Sequence, residues 1–559
     1  MKKTQRQPNR ISWKRLAGTS ATLAFAAVML SAVITTGSAQ AQTFNTLYNF
    51  SGTDGAAVAT AGLIQATDGN LYGATTGGGA NSDGTVFKIT PTGTLTTLHS
   101  FDGTDGASPW GRLVQATNGN FYGTTTGGGA TNGYGTVFKI TTSGTLTTLH
   151  SFDGTDGEAP YAGLVQATNG NFYGTEEDGG ANLYGSVFKI TGTDTLTTLH
   201  SFDSTDGANP QAALVQATDG NFYGTTRFGA NSACNGGCGT VFKMTPTGML
   251  TTLHSFDSTD GANPFGGMVQ GTDGNLYGTT SAGGSANDGT VFKITLGGTL
   301  TTLHSFNVTD GATPYGVLIQ ATDGNFYGTT KNGGSTSCPG DCGTIFQITP
   351  GGALTTLHSF DGTDGEYPFA GLVQDTNGDL YGATGGGGAK NDGTVFSLSV
   401  GLSPFAVIRS SSGKEGAKIG ILGQSFGSSS VVGFGGVAAT TITLTGSTYI
   451  SATVPAGALT GSVTVTTGAT TLTSSQTFKV LPTITSIPAS GSVGTPVAIT
   501  GTGLTQATKV TFGGVKATSF TVNNDTQVTA TVPTGAKTGK IAVITKGGSA
   551  SSKTSFTVD

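Results

Sequence analysis

Apolar and aromatic residues come along this chain in short runs of six or seven positions, bounded by Gly, Asn or Asp. Residues 112–152 show the pattern. Arg112–Thr117 (RLVQAT) reads as one strand, a, and the turn Asn118-Gly119 leads to a second, b, at Asn120–Thr125 (NFYGTT). A Gly-rich loop (TGGGATNGYG) precedes strand c, Thr136–Thr141 (TVFKIT), and Ser143-Gly144 turns the chain into strand d, Leu146–Phe152 (LTTLHSF). Short runs rich in Val, Leu, Phe, Tyr and Thr predict β-strands, and nothing in the segment keeps a helical period. The a–b turn is Asp-Gly or Asn-Gly wherever the pattern recurs, at Asp68, Asn118, Asn169, Asp219, Asp273, Asp323 and Asn377. Such dipeptides accept the positive φ of a tight hairpin.

The pattern is a tandem repeat. LTTLHSF occurs at Leu95–Phe101, Leu146–Phe152, Leu196–Phe202, Leu250–Phe256, Leu300–Phe306 and Leu354–Phe360. The six His residues, His99, His150, His200, His254, His304 and His358, share one repeat position, and a diverged copy at Thr46-Leu47-Tyr48-Asn49-Phe50 makes seven units. Four strands in a unit of ~40–50 residues, repeated, predict a β-propeller. The seventh unit has strands a, b and c, the last at Thr394–Val400, but no strand d. The array instead begins with an unpartnered strand d, Phe44–Phe50 (FNTLYNF). The predicted fold is all-β: a seven-bladed propeller whose N-terminal strand closes the last blade and so removes both sheet edges. The motif DGNxYGTT…GG…GTVFKIT…GTLTTLHSF, over residues 44–400, resembles the GloVer tandem repeat. That resemblance implies a secreted bacterial protein and points to no single activity.

Beyond Val400 the motif stops. Residues 403–480 and 481–558 align with each other without a gap at an offset of 78. Phe434-Gly435-Gly436-Val437 matches Phe512-Gly513-Gly514-Val515, and Thr453-Val454-Pro455 matches Thr531-Val532-Pro533. Thr- and Val-rich runs with frequent turns predict two small β-sandwiches. The second, with PTITSIPASGSVGTPVAITGTGL and its FGG and ATVP motifs, resembles an IPT/TIG immunoglobulin-like domain, and the first is a diverged version. The resemblance implies spacers or contact surfaces. At the other end, residues 1–15 carry six basic residues and no acid, Ala21–Ile34 is apolar, and Ser38-Ala39-Gln40-Ala41 offers an A-x-A site. That order predicts a cleaved export signal. The predicted organisation is a signal over 1–41, a propeller over 42–402, and Ig-like sandwiches over 403–480 and 481–559.

Charge changes the picture more than size does. Gly makes up 94 of the 559 residues, an excess that repeated turns explain. Only 10% of residues are charged, and the net charge is −6, which argues against a nucleic-acid binder held by phosphate contacts. Residues 42–400 hold nine Lys and Arg against 28 Asp and Glu, whereas residues 401–559 hold ten against three. An acidic propeller is joined to a basic tail.

The His residues sit on the outermost strand of each blade, too far apart to converge on a metal, so one repeated structural role is expected. Cys234 with Cys238 and Cys338 with Cys342 are local pairs in the b–c loops of units four and six, and export favours a disulfide in each. The loops after strand d, such as those of Asp102 with Asp105 and Asp153 with Asp156, read as Asx-turns or as calcium sites. Calcium is the one cofactor the sequence suggests. These loops share a propeller face with the b–c loops, and that face carries Trp110, Tyr134, Tyr161, Tyr184, Phe265, Tyr315, Tyr367 and Phe369. Glu176-Glu177-Asp178 replaces the usual Thr-Thr-Gly there. Trp110, Tyr161, Tyr315, Tyr367, Glu176, Glu177 and Asp178 are the candidate ligand contacts, because aromatics beside carboxylates can stack on and hydrogen-bond a sugar. The alternatives are that the Pro-aromatic segments cover blade junctions and that the acidic cluster is a solvated loop.

No HExxH, Walker or dinucleotide-binding motif is present in the sequence. The expected protein is an exported monomer with no membrane span after signal cleavage. Its leading function is binding: the propeller face recognises a glycan or a cell-surface protein, and the Ig-like modules space or attach it. The alternatives are an enzyme acting on extracellular polysaccharide, as lyase or hydrolase, and a structural adhesin-like array.

Overall fold

The computed structural model describes residues 42–58, 62–130, 133–192, 194–230, 233–334 and 342–559. The predicted export signal lies outside them. Each repeat forms an antiparallel blade with its strands in the order a, b, c, d. In blade 2 these are Val114–Gln115, Phe121–Thr125, Thr136–Ile140 and Leu146–Ser151. Strand a is shorter than the hydrophobic run suggests, because only two of its residues pair with strand b. Blade 1 adds a short strand, Ala56–Val58, on strand b. In blade 7 the outer strand comes from the start of the array. Thr43–Asn49 pairs antiparallel with Thr394–Ser399, placing Phe44 opposite Leu398 and Thr46 opposite Phe396. The propeller therefore closes on its own N-terminal strand.

Two sevenfold contact rings hold neighbouring blades together. In the first, the Phe ending each strand d meets the strand-c Phe of the next blade edge-on, from Phe50–Phe87 at 5.4 Å round to Phe360–Phe396 at 5.4 Å. In the second, the Gln of each strand a accepts the backbone N–H of the a–b turn Thr one blade earlier, at 2.8 to 3.2 Å. The last link runs from Thr376 N–H to Gln65, so this ring also closes. The recurring Gly of strand b is steric: a Cβ on Gly123 would lie 2.6 Å from the Phe138 ring and 2.9 Å from Leu113.

The histidines have the single repeated role expected of them. Each His Nε2 lies 2.7 to 3.0 Å from the Oδ2 of the Asp six residues on, from His99–Asp105 to His358–Asp364. That contact pins the loop leaving strand d to the outer edge of the blade. In the diverged first copy, Tyr48 donates to Asp54 in the same place.

Two β-sandwiches follow. Their cores use equivalent positions, with Phe434 on Phe478 at 5.1 Å in the first and Phe512 on Phe556 at 5.4 Å in the second. The first sandwich docks on the a–b turn face of the propeller. Phe405 N–H donates to Thr376 O at 3.1 Å, Arg409 Nη2 to Gln115 O at 3.1 Å, and Gln424 Nε2 to Asp375 Oδ1 at 3.0 Å. Asp375 stands where the other copies have Ala or Gly, so the repeat is altered at this docking contact. Burial pushes its carboxyl up to about 6.

Phe50 is fully buried against Phe87 at the closing junction. Phe50→Ala should therefore cost about 3–5 kcal/mol in the denaturant transition of the propeller. A loss below about 1 kcal/mol would show that the N-terminal strand is not a working part of the ring.

Candidate ligand-binding face and channel

The inner edges of the blades surround a cavity of about 650 Å³. Its floor is made by Val407, Arg409 and Leu422 of the first sandwich. Its other end is bordered by Tyr161, Gln211, Phe265 and Tyr315, which follow the prolines of the d–a loops. These side chains form part of an aromatic rim. Trp110 contacts Tyr161 at 5.6 Å, Phe265 stacks on Tyr315 at 4.4 Å, and Phe369 lies 6.0 Å beyond Tyr315.

A strained backbone position holds the rim. The residue before each proline has positive φ without being Gly: Ser108, Ala159, Asn209, Asn263, Thr313 and Tyr367, at 50° to 56°. Such a conformation costs roughly 1–3 kcal/mol per residue and needs its surroundings to enforce it. Hydrogen bonds on both sides do so. The N–H of Ala159 donates to Tyr134 O in the preceding blade, and its carbonyl accepts the N–H of Glu177 in its own blade. The same pair of bonds recurs at Ser108, Asn209, Asn263, Thr313 and Tyr367. Each rim aromatic is thus fixed against two b–c loops.

The copies differ where the rim is. The b–c loop residue bonded to that carbonyl is Thr126, Glu177, Arg227, Ser281, Lys331 or Gly385, depending on the blade. The Lys331 ammonium lies 5.1 Å from the Phe369 ring centre and 5.4 Å from Tyr315. The Arg227 guanidinium lies 5.9 Å from Phe265 and 3.5 Å from Gln211 Oε1. Gln211 in turn donates to Glu177, and Asn209 Nδ2 donates to Asp178 Oδ1 at 2.8 Å. Burial and the neighbouring Asp178 hold the Glu177 carboxyl above its ordinary value, and burial does the same for Asp178. Burial, then the Glu177 and Asp178 charges, raise the Tyr161 phenol.

Of the residues singled out from sequence, the structure brings Trp110, Tyr161, Glu177 and Asp178 to one side of the rim and Tyr315 and Tyr367 to the other. Phe265, Phe369, Arg227 and Lys331 complete it. The two cations were missed because each looked like an isolated change in a loop; comparing the aligned copies position by position would have revealed them. Tyr134 and Tyr184 stay on the outer b–c loops. There they supply backbone carbonyls to the blade locks, and no aromatic ring contact joins them to the rim among the described residues.

Glu176 does not join the other acids, and it is not part of a solvated loop. It lies on strand b inside blade 3 with no solvent exposure. In the other blades this position is a Thr whose hydroxyl pairs with the first Thr of strand c at 2.8 to 3.0 Å. In blade 3 the partner is the smaller Ser186, which donates to Glu176 Oε2 at 2.5 Å. Glu176 Oε1 is buried without a partner. A Cβ on Gly157 would sit 1.9 Å from the carboxylate, so only glycine there leaves it room.

The Asp-Gly loops have turn chemistry. Asp102 Oδ1 accepts Thr104 N–H at 2.9 Å, Thr104 Oγ1 at 2.7 Å and Asp105 N–H at 3.2 Å, while Asp105 faces His99. Asp153 and Asp156 repeat this arrangement around Thr155 and His150. No group of three or more His, Cys, Asp or Glu side chains is placed to hold a metal ion among the described residues. Cys234 and Cys238 form a disulfide. The second expected pair falls partly outside the described residues, which include Cys342 but not Cys338.

Burial pushes the Glu176 carboxyl from its ordinary 4.5 up to about 8. The folded state then holds a proton that the unfolded chain releases, so stability should fall as pH rises from 4.5 to about 8. Melting curves between pH 5 and 9 should fall more steeply for the protein than for Glu176→Gln. Parallel curves would contradict a buried neutral acid at this position.

The Gloeobacter/Verrucomicrobia repeat family matches residues 27–236 and 216–438, and the IPT/TIG domain matches residues 482–558. No curated protein matches the chain. Among solved structures, a fungal alcohol oxidase of the AA5 family in complex with copper is 13% identical, covers 92% of this chain and 99% of its own, and superposes with a TM-score of 0.45. A putative gluconolactonase is 11% identical over 65% of this chain and 94% of its own, with a TM-score of 0.35. A putative 6-phosphogluconolactonase from Bacteroides uniformis is 18% identical over 55% of this chain and 86% of its own, with a TM-score of 0.38. Scores this low carry no conclusion about the chemistry of this chain. The two repeat matches together span most of the sequence, and the chain belongs to the Gloeobacter/Verrucomicrobia repeat family, with an IPT/TIG domain at its C-terminal end.

Proposed function

We propose that this chain is a secreted or cell-surface binding protein whose propeller rim takes a saccharide, with the Ig-like modules serving as spacer or attachment. One observation carries the reading. Residues that build the blades recur from copy to copy, while the rim positions change from Thr to Glu, Arg, Ser, Lys or Gly beside aromatic rings. Variation confined to loops on a rigid scaffold is what ligand recognition requires. Stacked aromatics with nearby hydrogen-bonding groups suit the apolar face and the hydroxyls of a sugar. The basic tail favours an anionic surface as the place of attachment. A disulfide and an IPT/TIG domain support the extracellular setting. No helix is long and apolar enough to cross a membrane among the described residues. We place the working limits of the modules at 42–402, 403–480 and 481–559.

A glycan-array screen of the protein and of Phe265→Ala/Tyr315→Ala tests this reading. Wild type should retain at least one saccharide class, and the double variant should bind it about tenfold or more weakly while keeping its melting temperature. Saccharide binding that survives the double substitution unchanged would move recognition away from the rim.

A further inference from the structure

The channel beneath the rim has a charge that its surroundings do not predict. The propeller carries 28 acids against nine bases, yet the charged residues lining the cavity are Arg112 and Arg409, with no carboxylate among the described residues. Arg112 is peculiar to blade 2. The same repeat position is Gly62, Gly163, Ala213, Gly267, Val317 or Gly371 elsewhere. Small residues belong there because the inner strands nearly touch: a Cβ on Gly163 would lie 2.4 Å from Arg112 O. A guanidinium at this level therefore enters the channel itself. Its Nη2 donates to Leu63 O at 2.7 Å, and its Nε is buried with no partner. Burial lowers Arg112 to about 10, which still leaves it charged at neutral pH. Arg409 comes from the docked sandwich and bonds the carbonyl of Gln115, three residues beyond Arg112 in the same blade. Arg112 thus holds a carbonyl of blade 1 and Arg409 a carbonyl of blade 2.

A buried guanidinium without a counter-charge is costly, and its planar fork matches an oxyanion. We propose that the channel receives the anionic group of an acidic saccharide, a uronate carboxylate or a sugar sulfate, with Arg112 as its main partner and Arg409 at the floor. This rests on the reading of the rim as a saccharide site and specifies the class of sugar. The rim stacks the ring faces, and the channel selects the charged residue. The first sandwich is then part of the site, because it supplies the floor and the second cation.

Isothermal titration of the full chain tests this with three probes: hexagalacturonate, its fully methyl-esterified form, and a sulfated chondroitin disaccharide. At least one acidic probe should bind about tenfold or more tightly than the ester, and added salt should weaken that binding. Arg112→Gly restores the residue that four other blades carry, and it should remove the preference for the acid. Arg112→Lys, which keeps the charge but loses the fork, should restore it only in part. If Arg112→Gly does not fold, Arg409→Gln should still reduce the preference. Equal binding of acid and ester, unchanged in the Arg112 and Arg409 variants, would overturn the inference and leave the saccharide reading standing. Failure of all three probes to bind, in a protein that binds no other saccharide, would overturn both.

Discussion

Closure of the ring is the constraint on which the rest of the structure depends. Blades of four short strands are not stable alone, and each buries its Phe and Tyr residues only against its neighbours. An open array would leave one face of the first blade and one of the last exposed. Pairing Thr43–Asn49 with Thr394–Ser399 removes that cost, because Phe50 can then complete the Phe ring against Phe87. The Thr376–Gln65 hydrogen bond closes the inner ring at the same junction. The channel has a defined bore, and its rim a defined spacing, only because both rings close.

Closure also separates positions that must stay uniform from those free to change. The d-strand His, the strand-c Phe and the strand-a Gln each serve a junction. The rim residues, and Arg112 in the channel, belong to neither ring, and it is there that the copies diverge, at Glu177, Arg227, Lys331 and Arg112. Asp375 is a third kind of change, made at the turn where the first sandwich docks. The first sandwich supplies Val407, Arg409 and Leu422 to the cavity lining, so the sandwich and the propeller build the channel together.

Much of the fold was legible in sequence because propeller architecture is written in period and turn chemistry. LTTLHSF, Asn-Gly and the missing strand d each have one physical reading. The candidate site was legible in part. Trp110, Tyr161 and Tyr315 announced themselves as aromatics after proline in loops of one face. Glu176 misled because three consecutive acids look like a loop, and only the strand register shows that the first points inward against Ser186. Arg112 was hidden in an ordinary strand pattern, where a lone Arg beside apolar residues suggests an outward face. Its direction depends on how closely the inner strands approach, which is a property of the closed ring rather than of any single blade.

The central claim, that the N-terminal strand is an integral part of the seventh blade, is tested most directly by hydrogen exchange read by mass spectrometry. Peptides covering residues 43–49 should exchange as slowly as the outer-strand peptides 196–201 and 250–255 of blades 3 and 4, because both sets pair with a strand c. Exchange of residues 43–49 at the rate of an unpaired segment, with blades 3 and 4 protected, would contradict closure and with it the account of the channel and its rim.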